Sequence, residues 1–504
     1  ATGFSTWLVV RAWPHPRRVA LVAALLMLAY AVAALAPLRL ADEPRAFDWV
    51  PFAGLLRGSM LENARALLAS LLVFAGIAWL ARDARGSAAA ASLAVAGLVL
   101  IVELAQMYIV SRSPGVTEPI LALVAGVMIG MWPGAAQEGR RVLAPTHPRT
   151  LPQATVRDPS PAGWRRLILR GALTTAAIAI SIAVVLRLPG IPYNVAELFR
   201  ADGTLPVLLA FALALLWSGA GPALISAWLY ATPHRDWQLP VLTFFAGIVS
   251  LALLWLSVTR ESIDDIAGSN NLYWYVTNKN IWGAWARQVF LAIGSPSLIG
   301  FFERCVRYAA LYGPLATFPA IMFLMLDAWH DRKLSARRAA VWLTASFLWL
   351  WFCKGVAFDW SSTDNLNELL ARGGFFGLGG GGYLYLLIAL ISANIVFLAC
   401  IPMRPGTFAG GVAMTLLFLP CGWWLLRHGL EPQVHKYGSV FSGVQFLLGP
   451  DRKQFLSEQA LFMRWSLVQL GGVLIASAGA RLARARPSGV QNLSFRGSRP
   501  LGYI

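Results

Sequence analysis

The sequence predicts an all-α, polytopic integral membrane protein, with about twelve transmembrane helices in two bundles and several short interfacial helices. Three observations predict this class. Of the 504 residues, 57% are hydrophobic and only 13% are charged, whereas soluble domains carry about 25% charged residues. Apolar runs long enough to cross a bilayer recur along the whole chain. Short basic segments occur at every second connection between these runs, as they do in cytoplasmic loops.

Twelve apolar runs are the candidate spans. A helix that crosses the hydrocarbon core needs about 20 consecutive apolar residues, and the runs have about this length. They are residues 17–38, 63–81, 88–109, 117–133, 167–187, 205–230, 239–258, 308–328, 338–357, 382–402, 407–426 and 461–481. The tract 288–307 fits either a further span or a helix in the interface, and its charged residues Glu303, Arg304 and Arg307 favour the interface.

The basic segments predict the orientation of the chain. Twelve spans place all of these segments on one face together with both termini, and the positive-inside rule makes that face cytoplasmic. The expected location is therefore a bacterial-type inner (plasma) membrane. The basic residues are Arg11, Arg17, Arg18, Arg82, Arg85, Arg140, Arg141, Arg149, Arg157, Arg332, Lys333, Arg337, Arg338, Arg481, Arg484 and Arg486.

The net charge of +18 does not indicate a nucleic-acid-binding protein, because such a protein needs a soluble basic domain and none is present. The charge fits inside-positive loops that face anionic membrane lipids. The four cysteines show neither a metal-ligand spacing nor a disulfide pattern, and the glycines of 373–382 lack the lysine of a phosphate loop. We therefore expect no metal and no cofactor.

One linker divides the predicted spans. Residues 134–166 read GAAQEGRRVLAPTHPRTLPQATVRDPSPAGWRR, a composition rich in Pro, Arg and Ala that is typical of a connection between bundles. The expected organisation is a four-helix transmembrane domain at 1–133, a cytoplasmic linker at 134–166, a second bundle of about eight helices at 167–481, and a basic cytoplasmic tail at 482–504.

Two connections on the predicted outer face are long and patterned. The tract 259–287 contains five tyrosines and tryptophans, whose amphipathic rings suit the headgroup zone. The tract 428–460 mixes apolar and polar residues. Both are too short to build a core of their own, so we expect short amphipathic helices on the outer membrane surface.

A carboxylate inside an apolar run is the first candidate site. Glu103 and Gln106 share one face of a predicted helix, Arg112 follows further out, and Glu118 comes next in the chain. A charge at the bilayer centre costs at least ~2.5 kcal/mol, so it normally faces other helices and is paired or functional. Gln106, Arg65 or Arg112 could be the partner of Glu103. A structural role and a functional role are both compatible with this pattern.

Three pieces of residues 47–130 resemble the VanZ-like family, named for teicoplanin-resistance membrane proteins. The stretch DWVPFAGLL (48–56) resembles the family's Asn-Leu-Ile-Pro-Phe opening, with Pro51 and Phe52 in place. The stretch ENARALLASLLVFAGIAWL (62–80) resembles the next span of the family, with Gly76 near its usual glycine. The third piece starts at Glu103 and resembles the family's Glu-x-x-Gln pattern. As in the family, an arginine (Arg112) and then an acid (Glu118) follow it.

The match to that third pattern is incomplete. Glu118 stands where the family usually has Asp, while Gly115 and Ala122 replace an Asp and an Asn that are common there. The remainder of the chain resembles the long VanZ-like proteins through ESIDDIAGS (261–269), FDWSSTDNLNE (358–368) and KYGSVFSGVQFLLG (436–449). The resemblance implies a role in the cell envelope and in glycopeptide resistance, and it does not settle the molecular activity.

Two acidic clusters on the predicted outer face are the remaining candidates. Glu261, Asp264 and Asp265 follow one span, and Asp359 and Asp364 precede another. Carboxylates in such numbers can bind a cation through oxygen ligands or serve as acid and base toward a lipid-linked sugar. A solvated helix start is the structural alternative, and it is the commoner arrangement.

Three functions fit these observations. The first is an envelope protein that assists the synthesis, modification or export of a lipid-linked or polymeric glycan, such as an exopolysaccharide. The second is a non-catalytic structural subunit of a larger membrane complex. The third is a proton-coupled transporter that uses Glu103. The expected partners are membrane lipids, a lipid-linked glycan and other membrane subunits, without nucleic acid. The sequence does not decide whether the chain is an enzyme.

Overall fold

The regular elements of the described residues are all helices, joined by short non-helical connections. A computed structural model describes residues 14–52, 60–85, 88–110, 113–131, 161–267, 271–280, 282–331, 334–354, 380–430, 443–451 and 454–485. Within these ranges nine helices are long and apolar enough to cross a membrane. The expected all-α class is confirmed, and the helices indicate a multi-pass membrane protein.

The helices follow the apolar runs closely, because length and hydropathy are local properties of the sequence. In chain order they are α1 (His15–Leu35), α2 (Met60–Arg85), α3 (Ala88–Gln106), α4 (Thr117–Met131), α5 (Pro161–Val185), α6 (Tyr193–Ala196), α7 (Leu205–Ala231), α8 (Leu239–Ser257), α9 (Arg260–Ala267), α10 (Asn271–Thr277), α11 (Gly283–Ile293), α12 (Pro296–His330), α13 (Ala336–Lys354), α14 (Gly380–Cys400), α15 (Pro405–Leu416), α16 (Leu419–Leu430), α17 (Gly443–Leu448) and α18 (Glu458–Arg484).

The chain divides into two compact units. The first comprises Ala1–Thr150 and Ile401–Cys421, and the second comprises Leu151–Cys400 and Gly422–Ile504. The segment 401–421, which includes α15, thus falls in the first unit, where α15 packs on α4. The domain boundaries expected from the sequence stay a prediction.

The first unit is tied together at both ends of its helices. At one end Arg82 Nη1 donates to the Ile129 carbonyl oxygen over 2.6 Å, which joins the last turns of α2 and α4. At the other end the connection after α1 pairs with the connection after α3, through an antiparallel bridge between Leu40 and Ile109 and a parallel one between Asp48 and Gly115. These two connections form the support of the candidate site.

The second unit is built around α12. In α12 67% of the apolar window is buried, against 17% in the peripheral helix α5. Helices α7, α8, α14 and α18 pack against it or against each other. Exposed apolar side chains such as Ile168, Leu213 and Leu467 cover the outward faces, as expected for helices that face lipid chains.

Small residues set the closest crossing in the second unit, between α7 and α18. A Cβ added at Gly219 would lie 2.5 Å from the carbonyl carbon of Ala476, and one at Gly479 would lie 2.9 Å from that of Leu216. Real Cβ atoms do not approach backbone this closely, so the two backbones touch through the glycines. This is the usual role of small residues between membrane helices.

Polar contacts join the helix ends of the second unit. At one end, three side-chain pairs connect the ends of α7, α12 and α18 and the start of α13; they are Arg338 with Asp236, Tyr230 with Asp331, and Arg484 with Asp327. At the opposite end Arg464 Nη1 donates to the Leu448 carbonyl oxygen over 2.6 Å. Residues expected in cytoplasmic loops therefore lie at one end of this unit, and those expected in outer loops lie at the other.

The patterned outer tracts contain short helices. The tract 259–287 forms α9, α10 and the start of α11, which confirms the expected short helices there. In the tract 428–460, Gly443–Leu448 is helical, and residues 431–442 lie outside the described residues.

The tract 288–307, for which the sequence left two interpretations, is not a single helix. Helix α11 ends at Ile293, and Gly294 adopts a φ of 66°. Ser295 Oγ then accepts a hydrogen bond from Leu298 N over 3.3 Å and caps the start of α12. The second half of the tract is therefore the beginning of the 35-residue helix α12.

Candidate functional site

Two carboxylates lie in the interior of the first unit, beside the paired connections. Glu103 is in the last turn of α3 and is 4% exposed. Glu118 is in the first turn of α4 and is partly buried. A negative charge in the first turn of a helix is stabilised by the helix dipole. We call Glu103, Gln106, Glu118 and their hydrogen-bond partners the carboxylate site.

Both oxygens of Glu103 accept hydrogen bonds from the chain. Gln106 Nε2 donates to Glu103 Oε1 over 3.2 Å, within the same helix. The backbone N–H of Gly115 donates to Glu103 Oε2 over 3.0 Å. Glu103 is thus buried within the unit, and of the partners considered for it, Gln106 forms a hydrogen bond. Arg65, another partner considered, is exposed on α2, and Arg112 lies outside the described residues.

The connection after α3 brings Gly115 to Glu103. Helix α3 ends at Gln106, and the chain then runs beside the connection after α1, so that the Val116 N–H donates to the Asp48 carbonyl oxygen over 3.0 Å. A Cβ at Gly115 would lie 3.3 Å from that same oxygen. The absence of a side chain at Gly115 therefore permits the close approach that places its amide at the carboxylate.

The resembling stretch at 48–56 supports the same site from the other side. The Phe52 N–H donates to Thr117 Oγ1 over 2.8 Å, at the start of α4. Phe52 has a φ of 64° and its side chain is 1% exposed. A positive φ is uncommon for a bulky residue, so the buried ring and this hydrogen bond hold the backbone in place. Phe52 thus fixes the entry into α4, where Glu118 lies.

Glu118 is less completely bonded than Glu103. Ser70 Oγ of α2 donates to Glu118 Oε1 over 3.3 Å. Glu118 Oε2 is buried and has no hydrogen-bond partner among the described residues. A buried carboxylate oxygen without a donor is costly. Of the two carboxylates, Glu118 is therefore the one with an acceptor available to a ligand.

Besides the amide of Gly115, one hydrogen-bond partner and one neighbour of the site were not predicted from the sequence. Ser70 lies in the middle of α2, and Tyr30 lies in α1 within electrostatic range of both Glu103 and Glu118. The ring of Tyr30 packs edge-on against Phe74, with centroids 5.1 Å apart. A lone tyrosine in the apolar run LLMLAYAVAAL is a signal that could have identified Tyr30. Nothing local marks Ser70.

The outer acidic clusters are described only in part. Glu261 is exposed in the first turn of α9. Asp264 and Asp265 lie on the same helix, but the positions of their side chains are outside the description. Asp359 and Asp364 lie within 355–379, which is also outside the described residues. Their expected roles stay predictions.

Comparisons with known proteins add nothing to the class that the helices indicate, which is a multi-pass membrane protein. No protein-family model, no curated protein and no solved structure matches the chain. The resemblance of residues 47–130 to the VanZ-like family therefore stays a prediction.

Proposed function

We propose that the chain is a cell-envelope membrane protein that binds a lipid-linked or polymeric glycan and assists its synthesis, modification or export. Assistance here means binding and orienting the glycan, and no bond-breaking step is assigned to the chain. The VanZ-like resemblance of residues 47–130 supports an envelope role and a link to glycopeptide resistance. The partners in this proposal are the glycan, the surrounding lipids and other membrane subunits.

The observation that carries the proposal is the buried Oε2 of Glu118, which has no hydrogen-bond partner among the described residues. An ionised carboxylate offers several acceptor positions and no donor. Sugar hydroxyls are donors, and a hydrogen bond to a charged acceptor contributes about 1.5–3 kcal/mol. Glu103 already accepts hydrogen bonds on both oxygens. Through Gly115 it holds the connection that leads into α4, where Glu118 lies. A hydroxyl-rich ligand therefore suits Glu118 better than Glu103.

The test uses the purified full chain and a defined probe, an isoprenoid diphosphate lipid that carries a disaccharide. The same lipid without sugar is the reference. We expect the wild-type protein to prefer the sugar-bearing lipid, and Glu118→Gln to lower that preference about tenfold, because the charge-assisted hydrogen bond is lost. Titration of both lipids, read by native mass spectrometry, gives the two affinities.

Glu261→Gln is the matched control, since Glu261 is an exposed carboxylate on the second unit. It should leave the preference for the sugar-bearing lipid unchanged. Equal affinities of the wild-type protein for the two lipids, or an unchanged preference in Glu118→Gln, would contradict the proposed glycan site.

A proton-coupled transporter is the second candidate, and the same oxygen favours it. A buried carboxylate oxygen that no described residue bonds can hold a proton instead of a ligand hydroxyl, and intramembrane carboxylates occur in proton pathways. Proteoliposomes with an imposed pH gradient separate the two functions. Proton uptake that disappears in Glu118→Gln, without any preference for the sugar-bearing lipid, would favour the transporter. Absence of both properties would favour a structural subunit.

We also propose a topology of twelve spans, with the basic end of each unit and both chain termini facing the cytoplasm of a bacterial-type cell. The basis is the alternation of Lys and Arg clusters along the sequence. In a variant without native cysteines, a cysteine at Ser160 of the linker should resist a membrane-impermeant thiol reagent applied to intact cells. A cysteine at Ala284 of α11 should react with the same reagent. The reverse pattern would contradict this topology.

A further inference from the structure

Three charged residues are buried together near the start of α12. Glu303 is 5% exposed, Arg304 is 7% exposed and Arg307 is 4% exposed. Buried charges in a membrane protein are costly and mark functional sites or pairs. The three formal charges sum to +1, so the group has one more cation than it has anions.

Glu303 is fully engaged by its surroundings. The Leu272 N–H of α10 donates to Glu303 Oε2 over 3.0 Å. Glu303 Oε1 lies 3.0 Å from Arg307 Nη2 and forms an ion pair with it, although the angles of this contact are outside those of a hydrogen bond. Leu272 and Arg307 thus account for both oxygens of Glu303.

Arg307 has donors that no described residue uses. Its Nε and Nη1 are buried and have no hydrogen-bond partner among the described residues. A guanidinium presents its N–H groups as a rigid fork that matches the oxygens of carboxylate or phosphate. Unsatisfied donors of a charged group carry a large desolvation penalty, so their presence indicates a missing acceptor.

The side chain of Arg307 lines a cavity of about 240 Å³. This cavity lies between α12 and the short helices α10 and α11. Apart from Glu303 and Arg307, the wall is apolar; it consists of Leu272, Phe290, Ile299, Phe302 and Val306. Water needs several polar partners in a buried site, and this wall offers few. The cavity suits a ligand that is polar at one point and apolar elsewhere.

The depth of the cavity agrees with such a ligand. Helix α12 continues 23 residues beyond Arg307 to His330, which corresponds to about 35 Å at 1.5 Å per residue, more than the ~30 Å hydrocarbon core. Arg307 therefore lies near the level of the lipid headgroups. Exposed Trp274, Trp285 and Phe301 lie on the three helices that line the cavity, and exposed aromatic residues are enriched at membrane interfaces.

We propose that this cavity binds the phosphate group of a membrane lipid, with Arg307 Nε and Nη1 as the donors and the apolar wall against the lipid's glycerol and chain carbons. The site belongs to the second unit and does not depend on the carboxylate site or on glycan binding. Phosphate and guanidinium match in geometry as well as in charge.

Three probes added to the purified full chain in a neutral detergent test this assignment: phosphatidic acid, diacylglycerol with the same acyl chains, and inorganic phosphate. We expect phosphatidic acid to bind most tightly. Arg307→Lys keeps the charge beside Glu303 but removes the forked guanidinium. It should therefore weaken the binding of phosphatidic acid about tenfold or more. Native mass spectrometry gives the affinities, and thermal unfolding reports whether each variant is folded.

Two further variants make the test decisive. Val306→Phe narrows the cavity without changing a charge, and it should also weaken the binding of phosphatidic acid. This variant keeps the test available if Arg307→Lys fails to fold. Arg287→Lys makes the same substitution at an exposed arginine of α11 and should leave binding unchanged. Equal binding of diacylglycerol would overturn the phosphate contact, and equally tight inorganic phosphate would overturn the lipid assignment. Unchanged binding by folded Arg307→Lys and Val306→Phe would overturn the site.

Discussion

Gly479→Ala is expected to destabilise the second unit, although Gly-to-Ala changes inside helices normally stabilise by about 0.5–1 kcal/mol. The new Cβ would lie 2.9 Å from the carbonyl carbon of Leu216 and would overlap its oxygen. Because the obstacle is backbone, α7 and α18 must move apart. Overpacking of this kind costs about 1–3 kcal/mol or more. Thermal unfolding of the purified protein in detergent measures the loss.

Gly472 provides a control on the same helix. It is exposed, and a Cβ added there meets nothing within 4 Å. Gly472→Ala should therefore leave the melting temperature unchanged or raise it, whereas Gly219→Ala should reproduce the loss, since its Cβ would meet Ala476. Identical melting of Gly479→Ala and Gly472→Ala would mean that the two helices are not in backbone contact.

The positions of the membrane helices could be predicted closely, because hydropathy and length act over a single segment. The run 205–230 corresponds to α7 and the run 239–258 to α8, with ends that differ by one residue. Helix packing could not be predicted in the same way. The glycines of the α7–α18 crossing are about 260 residues apart, and many glycines in this chain have no close neighbour. Only the three-dimensional structure distinguishes the glycines of a helix crossing from those without a close neighbour.

Ion pairs show the same limit. From the sequence, Arg338 was interpreted only as one of the cytoplasmic basic residues. In the structure Arg338 bonds Asp236, and Asp327 bonds Arg484 through two hydrogen bonds of 2.7 and 3.0 Å. Each pair links residues more than 100 positions apart, so no local pattern could have matched the partners.

In the carboxylate site, too, local contacts could be predicted and long-range contacts could not. The bond between Glu103 and Gln106 follows from helical spacing alone, and Gln106 was one of the three partners considered from the sequence. The amide of Gly115 and the hydroxyl of Ser70 were not, because both reach the carboxylates through the fold of the connections and the packing of α2. As a result, both oxygens of Glu103 accept hydrogen bonds, whereas one oxygen of Glu118 has no partner among the described residues.

The second large effect is expected at the pair formed by Arg338 and Asp236. Arg338 Nε and Nη2 donate to the two Asp236 oxygens over 3.1 and 3.2 Å, and Nη2 also donates to the Leu229 carbonyl oxygen over 3.1 Å. The guanidinium lies 4.7 Å from the ring centroid of Trp342, which is fully buried. Together these contacts join the segment after α7 to the first turn of α13.

Asp236→Ala should lower the free energy of unfolding by about 3–5 kcal/mol, because it leaves the largely buried guanidinium without its counter-charge. Glu458→Gln is the control, since Arg427 and Glu458 form an exposed pair, and such pairs contribute about 1 kcal/mol or less. The double variant Asp236→Leu with Arg338→Leu should recover much of the loss, because no unpaired charge remains buried. Unfolding in detergent measures all three variants. If Asp236→Ala lowers the free energy of unfolding no more than Glu458→Gln does, the guanidinium of Arg338 is hydrated. Water, and not Asp236, then stabilises its charge at this end of the second unit.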